Sequence, residues 1–463
     1  MSDEYDVIVI GAGPVGENAA GRCAEGGLKT LLVERELAGG ECSYWACMPS
    51  KTLLRPGAAL AAVRRVPGAQ AALTGDLDVA EALAWRDEAV SGYDDKYQVK
   101  WIKDNGIDFA RGRAHMTGER RIDIESDEGT RTVTASKAVI VATGSNASMP
   151  PIDGLADARP WDNRGITEAK EVPRRLLVLG GGVVGVEMAQ AWRRLGSEEV
   201  TIVERGPRLL AMEEPFAGEE LAEAFRSEGI TVRTNAEIKA VEREGRDGPI
   251  KARVEGAEDV EADEILVAVG RQPRTDDLGV DTIGLEPGDP IKVDDHLMAT
   301  KVPGDWLYAV GDVNGRALLT HMGKYQGKIA ADHILGKEVD AGIGSGAITR
   351  VVFTDPQVAA VGPTEEKARA AGLDVRTVST GTGDVAGATV YGKGITGTSH
   401  LVIENGRDVI VGATFTGPEV GEMLHSATIA IVGEVPLERL RHAVPAFPTV
   451  SEVWLNLVEE ALG

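Results

Sequence analysis

Short apolar runs that end in glycine recur along the chain and predict buried strands followed by tight turns. The first run, YDVIVIG at residues 5–11, leads into the helical segment ENAAGRCAEGG and then into a second apolar run, KTLLVERE. The same order returns from residue 176 in LLVLGGG, VEMAQAWRRLG and EVTIVERG. A buried strand, a turn, a helix and a second strand make a βαβ unit. The pattern therefore predicts two such units within an α/β fold.

Three further apolar runs stop at a sharp turn in the same way. They are KAVIVATGS at 137–145, DEILVAVGRQP at 263–273 and DWLYAVGDVNG at 305–315, and each suits the edge of a ligand cleft. Residues 112–135 alternate and carry turn signals, which predicts a β-meander. From about residue 346 the chain reads as strands and then as a helix at 421–433, without phosphate-binding glycines. This last stretch is predicted to be a third, α+β module.

Length and charge narrow the class of protein. The 463 residues predict two to four domains. The 73 acidic and 49 basic residues give a net charge of −24, which argues against nucleic acid or an anionic membrane as a partner. No apolar run approaches the roughly 20 residues that span a bilayer, and the acidic start MSDEYDVIVIG is unlike a signal peptide. We therefore expect a cytoplasmic protein.

Gly11, Gly13 and Gly16 have the GxGxxG spacing of a dinucleotide-binding turn. The first glycine permits the turn, the second lets a pyrophosphate approach the backbone, and the third lets helix and strand pack closely. The phosphates then lie at the helix N-terminus, where unpaired N–H groups and the helix dipole favour an anion. Glu34 follows Gly16 by 18 residues, where an acid accepts hydrogen bonds from a ribose.

The stretch GGGVVG at residues 180–185 repeats this spacing, and Glu204 follows it by 19 residues. Two such units predict two dinucleotides. An acid at Glu204 would repel a 2′-phosphate and bind a free 2′-hydroxyl, which favours NADH over NADPH. Arg205 and Arg208 follow closely and weaken this preference.

The stretch ECSYWACMPSK at 41–51 holds two of the three cysteines, Cys42 and Cys47. Zinc sites usually have CxxC pairs or clustered histidines, whereas this spacing is CxxxxC and the seven histidines are scattered, so we expect no metal. Disulfides are rare in the cytoplasm, where catalytic ones are the usual exception. A redox-active pair is therefore favoured over two inert buried thiols. Cys23 lies on the apolar side of the first helix and is interpreted as core.

Together these features resemble the class I pyridine nucleotide-disulfide oxidoreductases, the flavoprotein family of dihydrolipoyl dehydrogenase, glutathione reductase and mercuric reductase. The resemblance covers essentially the whole chain and is carried by GAGPVG with Glu34, GGECSYWACMPSK, VATGS, LGGGVVGVE, AVGRQPRT, YAVGDV, VVFTDPQVAAVG and PTVSE. It implies an FAD-binding domain at 1–150 and 272–345, an NAD(P)-binding domain at 151–271, and a dimerisation domain at 346–463 that makes a homodimer.

The resemblance also implies roles for individual residues. Family members pass a hydride from nicotinamide to FAD, and electrons from FAD to the cysteine pair and then to an acceptor. Cys47, near the start of the helix that follows Pro49, would be the flavin-side thiolate, and Cys42 would be the thiol that faces the acceptor. Lys51 and Glu187 match the family's ion pair beside the flavin, where positive charge stabilises the reduced, anionic ring.

The cofactor-binding residues that the resemblance implies fall into two sets. Those for FAD are Gly11, Gly13, Pro14, Gly16, Glu34, Arg35, Gly40, Glu41, Ala114, Ala142, Thr143, Gly144, Asp312, Thr320 and His321. Those for the nicotinamide nucleotide are Gly180, Gly182, Val184, Gly185, Glu204, Arg205, Val269 and Gly270. Asp312 matches the acid that binds the ribityl chain. His321 lies on the helix that points at the flavin pyrimidine, so we expect it beside the cofactor rather than in catalysis.

The chain departs from the family near its C-terminal end. Disulfide reductases of the family carry the motif HxHPTxSE there. In the dimer, this segment of one subunit contributes to the active site of the other. Its histidine is the acid–base, and its glutamate holds the histidine. This chain reads HAVPAFPTVSE at 442–452, so the catalytic histidine falls on Phe447 while Glu452 remains. Phenylalanine cannot move protons, whereas exchange with a disulfide requires protonation of a leaving thiolate. His442 and His425 are the alternative acid–bases.

Two further departures bear on the acceptor. Mercuric reductase needs a C-terminal cysteine pair, but no cysteine follows Cys47. Between the cysteines stand Tyr44 and Trp45, interpreted as packing beneath the flavin or as a flat wall for a planar acceptor.

We predict an oxidoreductase that passes electrons from NADH through FAD and the Cys42–Cys47 disulfide to a quinone or another non-disulfide acceptor. The alternatives are a disulfide reductase with a different proton donor and a flavin-based redox sensor.

Overall fold

A computed structural model describes residues 3–246, 248–342 and 346–463. The chain forms two compact units. The first unit comprises Met1–Pro49, Arg86–Ser148 and Gly270–Ile343, and the second comprises Ser50–Trp85, Met149–Val269 and Gly344–Gly463.

A seven-stranded sheet forms the centre of the first unit. Its strands are β1 (Glu4–Ile10), β2 (Thr30–Glu34), β3 (Asp108–Arg111), β4 (Arg113–Gly118), β5 (Arg121–Ser126), β6 (Gly129–Val141) and β16 (Leu307–Ala309). They pair in the order β3-β2-β1-β6-β5-β4, and β16 also pairs with β6. The pairing is parallel except that β4, β5 and β6 are antiparallel, which confirms the predicted meander.

Helices and one small strand pair complete the first unit. The strands are β7 (Ser145–Ala147) and β15 (Arg271–Pro273), and the helices are α1 (Pro14–Glu25), α2 (Gly40–Tyr44), α5 (Lys96–Asp104) and α9 (Thr320–Ile334). The helix α3 (Cys47–Arg65) begins in the first unit, and α4 (Val79–Ala89) ends in it.

The apolar run of β1 is buried on both faces of the sheet. Ile8 and Ile10 belong to one core cluster, whereas Val7 and Val9 belong to another. Successive side chains of a strand point to opposite faces, so a strand covered on both sides must be apolar throughout. The first βαβ unit, β1-α1-β2, is therefore confirmed. Cys23 is fully buried in the second of these clusters, which confirms that it is core.

The described residues of the second unit form three sheets. The parallel sheet has β8 (Arg175–Leu179), β9 (Glu199–Val203), β10 (Ile230–Arg233) and β14 (Glu264–Val267) in the order β10-β9-β8-β14. An antiparallel sheet has β11 (Ile238–Arg243), β12 (Ile250–Val254) and β13 (Val260–Ala262). A second antiparallel sheet has β17 (Thr349–Val352), β18 (Gln357–Val361), β19 (Val375–Gly381), β20 (Thr398–Glu404) and β21 (Val409–Gly417) in the order β17-β18-β21-β20-β19.

Helices cover these sheets. They are α6 (Asn163–Glu168), α7 (Val183–Leu195), α8 (Pro215–Ser227), α10 (Glu365–Ala370), α11 (Ala386–Tyr391), α12 (Val420–Val432), α13 (Leu437–Leu440) and α14 (Val453–Leu462). The order β8-α7-β9 confirms the second βαβ unit, and α12 confirms the helix predicted at 421–433. Across residues 3–246, 248–342 and 346–463, no helix has the length and apolar character needed to cross a membrane.

Candidate functional site

The turn after β1 brings backbone atoms too close for any side chain. Gly11 has a φ of +101°, and a Cβ there would lie 2.5 Å from the carbonyl oxygen of Ala142. A Cβ on Gly16 would lie 1.8 Å from the carbonyl oxygen of Gly11. Only glycine fits these positions. Gly13 is the N-cap of α1 and Pro14 its first residue, so the N–H groups of the first turn are available to a phosphate.

The turn after β8 has the same geometry. Gly180 has a φ of +108°, and a Cβ there would lie 2.5 Å from the carbonyl oxygen of Ala268. A Cβ on Gly185 would lie 2.0 Å from the carbonyl oxygen of Gly180. Gly182 is the N-cap of α7. The two glycine turns thus repeat each other in structure as they do in sequence, and each fits a dinucleotide pyrophosphate.

Glu34 and Glu204 occupy equivalent places at the ends of β2 and β9. The Glu34 carboxylate accepts a hydrogen bond from the backbone N–H of Ala12 at 2.7 Å, and that of Glu204 accepts one from Gly181 at 2.6 Å. Each also accepts from the backbone N–H two residues further along the chain. Both carboxylates are thereby fixed beside a glycine turn, where an acid binds a ribose hydroxyl.

Polar residues of the first unit meet where β6 and β16 end. Ser145 Oγ donates a hydrogen bond to Asp312 at 2.5 Å and accepts one from Arg271 Nε at 2.7 Å. Thr143 Oγ1 donates to the carbonyl oxygen of Arg274 at 2.8 Å. The carboxyl ends of parallel strands share one edge of a sheet, where ligands bind. Sequence analysis did not single out Ser145, Arg271 or Arg274, although VATGS and AVGRQPRT contain them.

The other predicted cofactor residues lie on or beside these elements. Arg35 follows β2 and pairs with Asp277 at 3.0 Å. Gly40 begins α2 against the first glycine turn, since a Cβ on it would lie 2.7 Å from the Cα of Gly13. The remaining positions are Glu41 on α2, Ala114 buried on β4, Gly144 after β6, Thr320 and His321 at the start of α9, Val184 in the first turn of α7, Arg205 exposed after β9, and Val269 and Gly270 after β14.

Cys42 and Cys47 contact each other in the first unit as half-buried thiols rather than as a disulfide. Cys42 lies on α2, and Cys47 is the first residue of α3, as the position of Pro49 predicted. Cys47 Sγ is 3.4 Å from Thr320 Oγ1. The pKa of the Cys42 thiol is raised, chiefly by its hydrogen bond to Cys47 and secondly by its burial. The position of Cys47 at a helix N-terminus favours negative charge on its sulfur.

Tyr44 and Trp45, between the two cysteines, are both buried. Their ring centroids are 5.6 Å apart, and both rings also lie beside Tyr93. The hydroxyl of Tyr44 donates to the carbonyl oxygen of Ala38 at 3.1 Å, and burial raises the pKa of Tyr44 to about 12. This burial favours core packing over a flat wall for an acceptor.

Lys51 and Glu187 form the predicted ion pair within the second unit. Lys51 Nζ is 2.6 Å from Glu187 Oε2, and the residue Glu187 is 2% exposed. The other carboxylate oxygen accepts a hydrogen bond from the backbone N–H of Phe353 at 3.0 Å. Lys51 Nζ also lies 5.0 Å from the centroid of the Phe353 ring. Phe353, which sequence analysis missed, thus lies against both members of the pair and stands in the quoted motif VVFTDPQVAAVG.

The C-terminal segment exposes an aromatic ring. Phe447 is 76% exposed. Glu452 accepts a hydrogen bond from the backbone N–H of Gly387 at 2.9 Å. His425 on α12 and His442 after α13 are both exposed. The segment therefore presents an apolar side chain at the position where sequence analysis placed the missing acid–base.

Comparison with known proteins gives consistent matches over the whole chain. The model of the family "Pyridine nucleotide-disulphide oxidoreductase" matches residues 5–327, and its dimerisation domain matches residues 348–458. The dihydrolipoyl dehydrogenase of Thermus scotoductus is 34% identical, over 98% of this chain and 97% of its own length. A mercuric reductase of Staphylococcus aureus is 31% identical, over 97% of this chain and 81% of its own length.

A solved structure shares the fold from end to end. It is the Cu(II) complex of the HOCl-induced flavoprotein disulfide reductase RclA from Escherichia coli, with a TM-score of 0.86 and 25% identity. The match covers 99% of this chain and 100% of that chain. The α/β fold with two dinucleotide-binding regions and a C-terminal dimerisation domain, expected from the sequence, is thereby confirmed.

Proposed function

Because the chain belongs to the pyridine nucleotide-disulphide oxidoreductase family, we propose that it oxidises NADH and passes the electrons through FAD and the Cys42–Cys47 pair to a quinone. Family membership makes it a flavoprotein enzyme that uses a pyridine nucleotide, and its dimerisation domain implies a homodimer. FAD supplies the group that accepts a hydride and delivers two electrons to the cysteines. The proposal places FAD in 1–150 and 272–345, NADH in 151–271 and the dimer contact in 346–463, in a cytoplasmic enzyme.

The first unit holds the groups that would bind FAD. The turn at Gly11 and Gly13 offers backbone N–H groups to the pyrophosphate, and Glu34 is fixed where it can accept from a ribose. By resemblance to the family, Asp312, which accepts a hydrogen bond from Ser145, would bind the ribityl chain. The resemblance to the family separately assigns to Lys51 of the second unit, paired with Glu187, the supply of positive charge to the reduced ring.

The choice of NADH over NADPH rests on the charges beside Glu204. The fixed carboxylate of Glu204 repels a 2′-phosphate. In the sequence, Arg205 and Arg208 weaken the preference for NADH. In the structure, Arg208 donates hydrogen bonds to the carbonyl oxygens of Ala211 at 3.2 Å and Glu213 at 3.4 Å. Its guanidinium is thus engaged by the loop of its own chain, which supports NADH.

The choice of a quinone as the acceptor rests on the exposed side chain of Phe447. A disulfide acceptor releases a thiolate, which needs a nearby acid to protonate it. A quinone accepts two electrons and two protons at its own oxygens, and no thiolate leaves. The 76% exposed ring of Phe447 offers apolar surface, which suits a planar organic molecule better than a hydrophilic disulfide.

A disulfide reductase with a different proton donor is the second candidate. The similarity to dihydrolipoyl dehydrogenases, at 34% identity for the Thermus protein, favours it. His425 and His442 are both exposed and so accessible to a substrate. Loss of disulfide turnover in His425→Ala or His442→Ala would identify the donor.

The two candidates predict different reoxidation rates. The enzyme is reduced anaerobically with one equivalent of NADH and mixed in stopped flow with lipoamide, glutathione disulfide, a small quinone or Cu(II). We expect the quinone to reoxidise it at least about tenfold faster than either disulfide, because an enzyme without a histidine at position 447 would give a disulfide no general acid–base catalysis from that position, and such catalysis is worth about 10²–10⁴. Faster reoxidation by a disulfide would contradict the proposal, and no reoxidation by any acceptor would indicate a redox sensor.

A pair of histidine variants sharpens this test. Phe447→His restores an imidazole to the segment that ends in Glu452, so we expect it to speed reoxidation by lipoamide or glutathione disulfide. Val444→His is the matched control, since Val444 is 73% exposed in the same segment. An equal gain in both variants would show that position 447 has no special role.

A further inference from the structure

A loop of the second unit connects Glu204, at the end of β9, to the start of α8. We call residues 205–214 the nucleotide loop, because Glu204 is the carboxylate proposed to bind the ribose of NADH. The backbone N–H of Leu210 donates to the carbonyl oxygen of Gly181 at 2.9 Å. The nucleotide loop is therefore bonded directly to the second glycine turn.

Apolar packing fixes one side of the nucleotide loop. Leu209 and Leu210 are both buried. A Cβ on Gly181 would lie 2.6 Å from Leu209 Cδ2, and a Cβ on Gly218 of α8 would lie 2.1 Å from the carbonyl oxygen of Leu209. The loop thus fills the space between the glycine turn and α8. Because such packing leaves no free volume, a displacement of the loop is transmitted to the turn.

Groups of the region that matches the family's dimerisation domain bind the other side of the nucleotide loop. Lys367 Nζ donates to the carbonyl oxygen of Met212 at 2.7 Å. The backbone N–H of Glu365 donates to Glu214 Oε1 at 2.7 Å. Both donors belong to α10, so one helix of this domain holds the loop at two positions.

Arg350 on β17 binds the residue between these two positions, Glu213. Its Nε and Nη2 atoms lie 2.8 and 2.9 Å from the two carboxylate oxygens of Glu213, which makes a bidentate pair. Arg350 also donates to the carbonyl oxygens of Ile348 and Gly362 at 3.1 and 3.2 Å, so the dimerisation domain itself fixes the guanidinium. Glu213 is 5% exposed. Without Arg350 its negative charge would be unpaired and largely shielded from water, which is strongly unfavourable.

Backbone hydrogen bonds connect Glu213 to the glycine turn. The N–H of Glu213 donates to the carbonyl oxygen of Leu210 at 2.9 Å, and the N–H of Leu210 donates to Gly181. Arg208 adds a hydrogen bond to the carbonyl oxygen of Glu213 at 3.4 Å. A continuous series of contacts therefore runs from Arg350 through Glu213 and Leu210 to the turn.

We propose that Arg350 is a positioning residue for NADH, because it holds the nucleotide loop in the conformation that supports the second glycine turn. It acts through Glu213 and Leu210 rather than as a ligand of the coenzyme. The inference rests on the proposed function, which it deepens by making the NADH site depend on a side chain of the dimerisation domain. Loss of the bidentate pair forces the loop to rearrange around the Glu213 charge, so the affinity for the nucleotide falls.

Binding of ADP-ribose to the FAD-loaded enzyme tests this proposal without electron transfer. ADP-ribose carries the adenosine and pyrophosphate of NADH but no nicotinamide. Isothermal titration calorimetry gives its dissociation constant, and hydrogen exchange followed by mass spectrometry reports on residues 205–214. Arg350→Met should raise the dissociation constant about 2- to 30-fold, the range for a residue that acts through its neighbours. Hydrogen exchange in the nucleotide loop should become faster.

Stopped-flow reduction of the flavin by NADH separates positioning from chemistry. In Arg350→Met, the NADH concentration that gives half the maximal rate should rise. The maximal rate at saturating NADH should stay that of the wild type, since the lost interaction supports binding rather than hydride transfer.

Three further variants complete the comparison. Glu213→Gln removes the charge from the other member of the pair, so it tests the same contact if Arg350→Met does not fold. Arg350→Lys keeps the positive charge but cannot form the bidentate pair, and its affinity should lie between those of the wild type and Arg350→Met. Arg376→Met is the matched control. Arg376 pairs with Asp408 within the same domain, and its loss should leave ADP-ribose binding unchanged.

An unchanged dissociation constant in Arg350→Met and Glu213→Gln would overturn the proposal. An equal loss of affinity in Arg376→Met would also overturn it, since the effect would then be a general loosening of the domain. Failure of the proposed preference for NADH appears separately, as a wild type that binds 2′-phospho-ADP-ribose more tightly than ADP-ribose, whatever the affinity of Arg350→Met.

Discussion

Glu187 is a carboxylate that the second unit buries and must keep paired. Breaking a buried ion pair costs about 3–5 kcal/mol, because the remaining charge stays out of water. The Lys51 side chain is 34% exposed, so solvent screens part of this cost. We expect Lys51→Met to lower the apparent free energy of unfolding by about 1–3 kcal/mol. Urea unfolding followed by circular dichroism measures it.

An exposed pair elsewhere on the chain provides the control for Lys51. Lys100 contacts Asp104 at 2.5 Å on α5, but its side chain is 70% exposed. Such a surface pair is worth less than about 1 kcal/mol. Lys100→Met should therefore leave the urea midpoint nearly unchanged. Equal losses in the two variants would mean that the burial of Glu187 has no special importance.

At the scale of elements, the sequence predicts strands and helices better than it predicts their contacts. The βαβ units were predictable because β1 and β8 must be apolar throughout and the turns after them require glycine. The ion pair of Lys51 and Glu187 spans 136 residues, and only the family resemblance connected them.

The burial of His400 between neighbouring elements makes the stability of the protein depend on pH. It lies on β20, where its Nδ1 atom is 2.7 Å from Ser379 Oγ on β19 and its Nε2 atom is 3.8 Å from Glu214 Oε1. Burial lowers the pKa of His400 below its ordinary value. The unfolded chain therefore takes up a proton first as the pH falls, and stability decreases below about pH 6.5.

We expect the wild type to be less stable at pH 5.5 than at pH 7.5, and His400→Gln to show a smaller difference between the two. Thermal unfolding at both pH values measures the effect. His442→Gln is the control, because His442 is exposed after α13 and should leave the dependence on pH unchanged. The idea fails if the two variants respond to pH alike.

At the scale of the whole molecule, the α+β module predicted from residue 346 matches the dimerisation domain of the family at 348–458. Its helix α12 exposes two large apolar side chains, with Ile429 59% and Val432 51% exposed. Apolar area of this kind on a chain that forms a homodimer is suited to the contact between two copies.

The net charge of the chain opposes the association of two copies. Each copy carries a net charge of −24, so two copies repel each other and their association depends on buried apolar surface. In a two-fold dimer a substitution acts twice, and burying one isoleucine is worth about 1.5–3 kcal/mol. Ile429→Glu should therefore raise the dissociation constant of the dimer by about 100-fold or more. Sedimentation equilibrium measures this, and added salt should partly offset the repulsion.

Met212→Glu, which places the same charge on a 66% exposed residue outside the dimerisation domain, should have little effect. Equal weakening by both variants would show that net charge, rather than the surface of α12, controls the dimer.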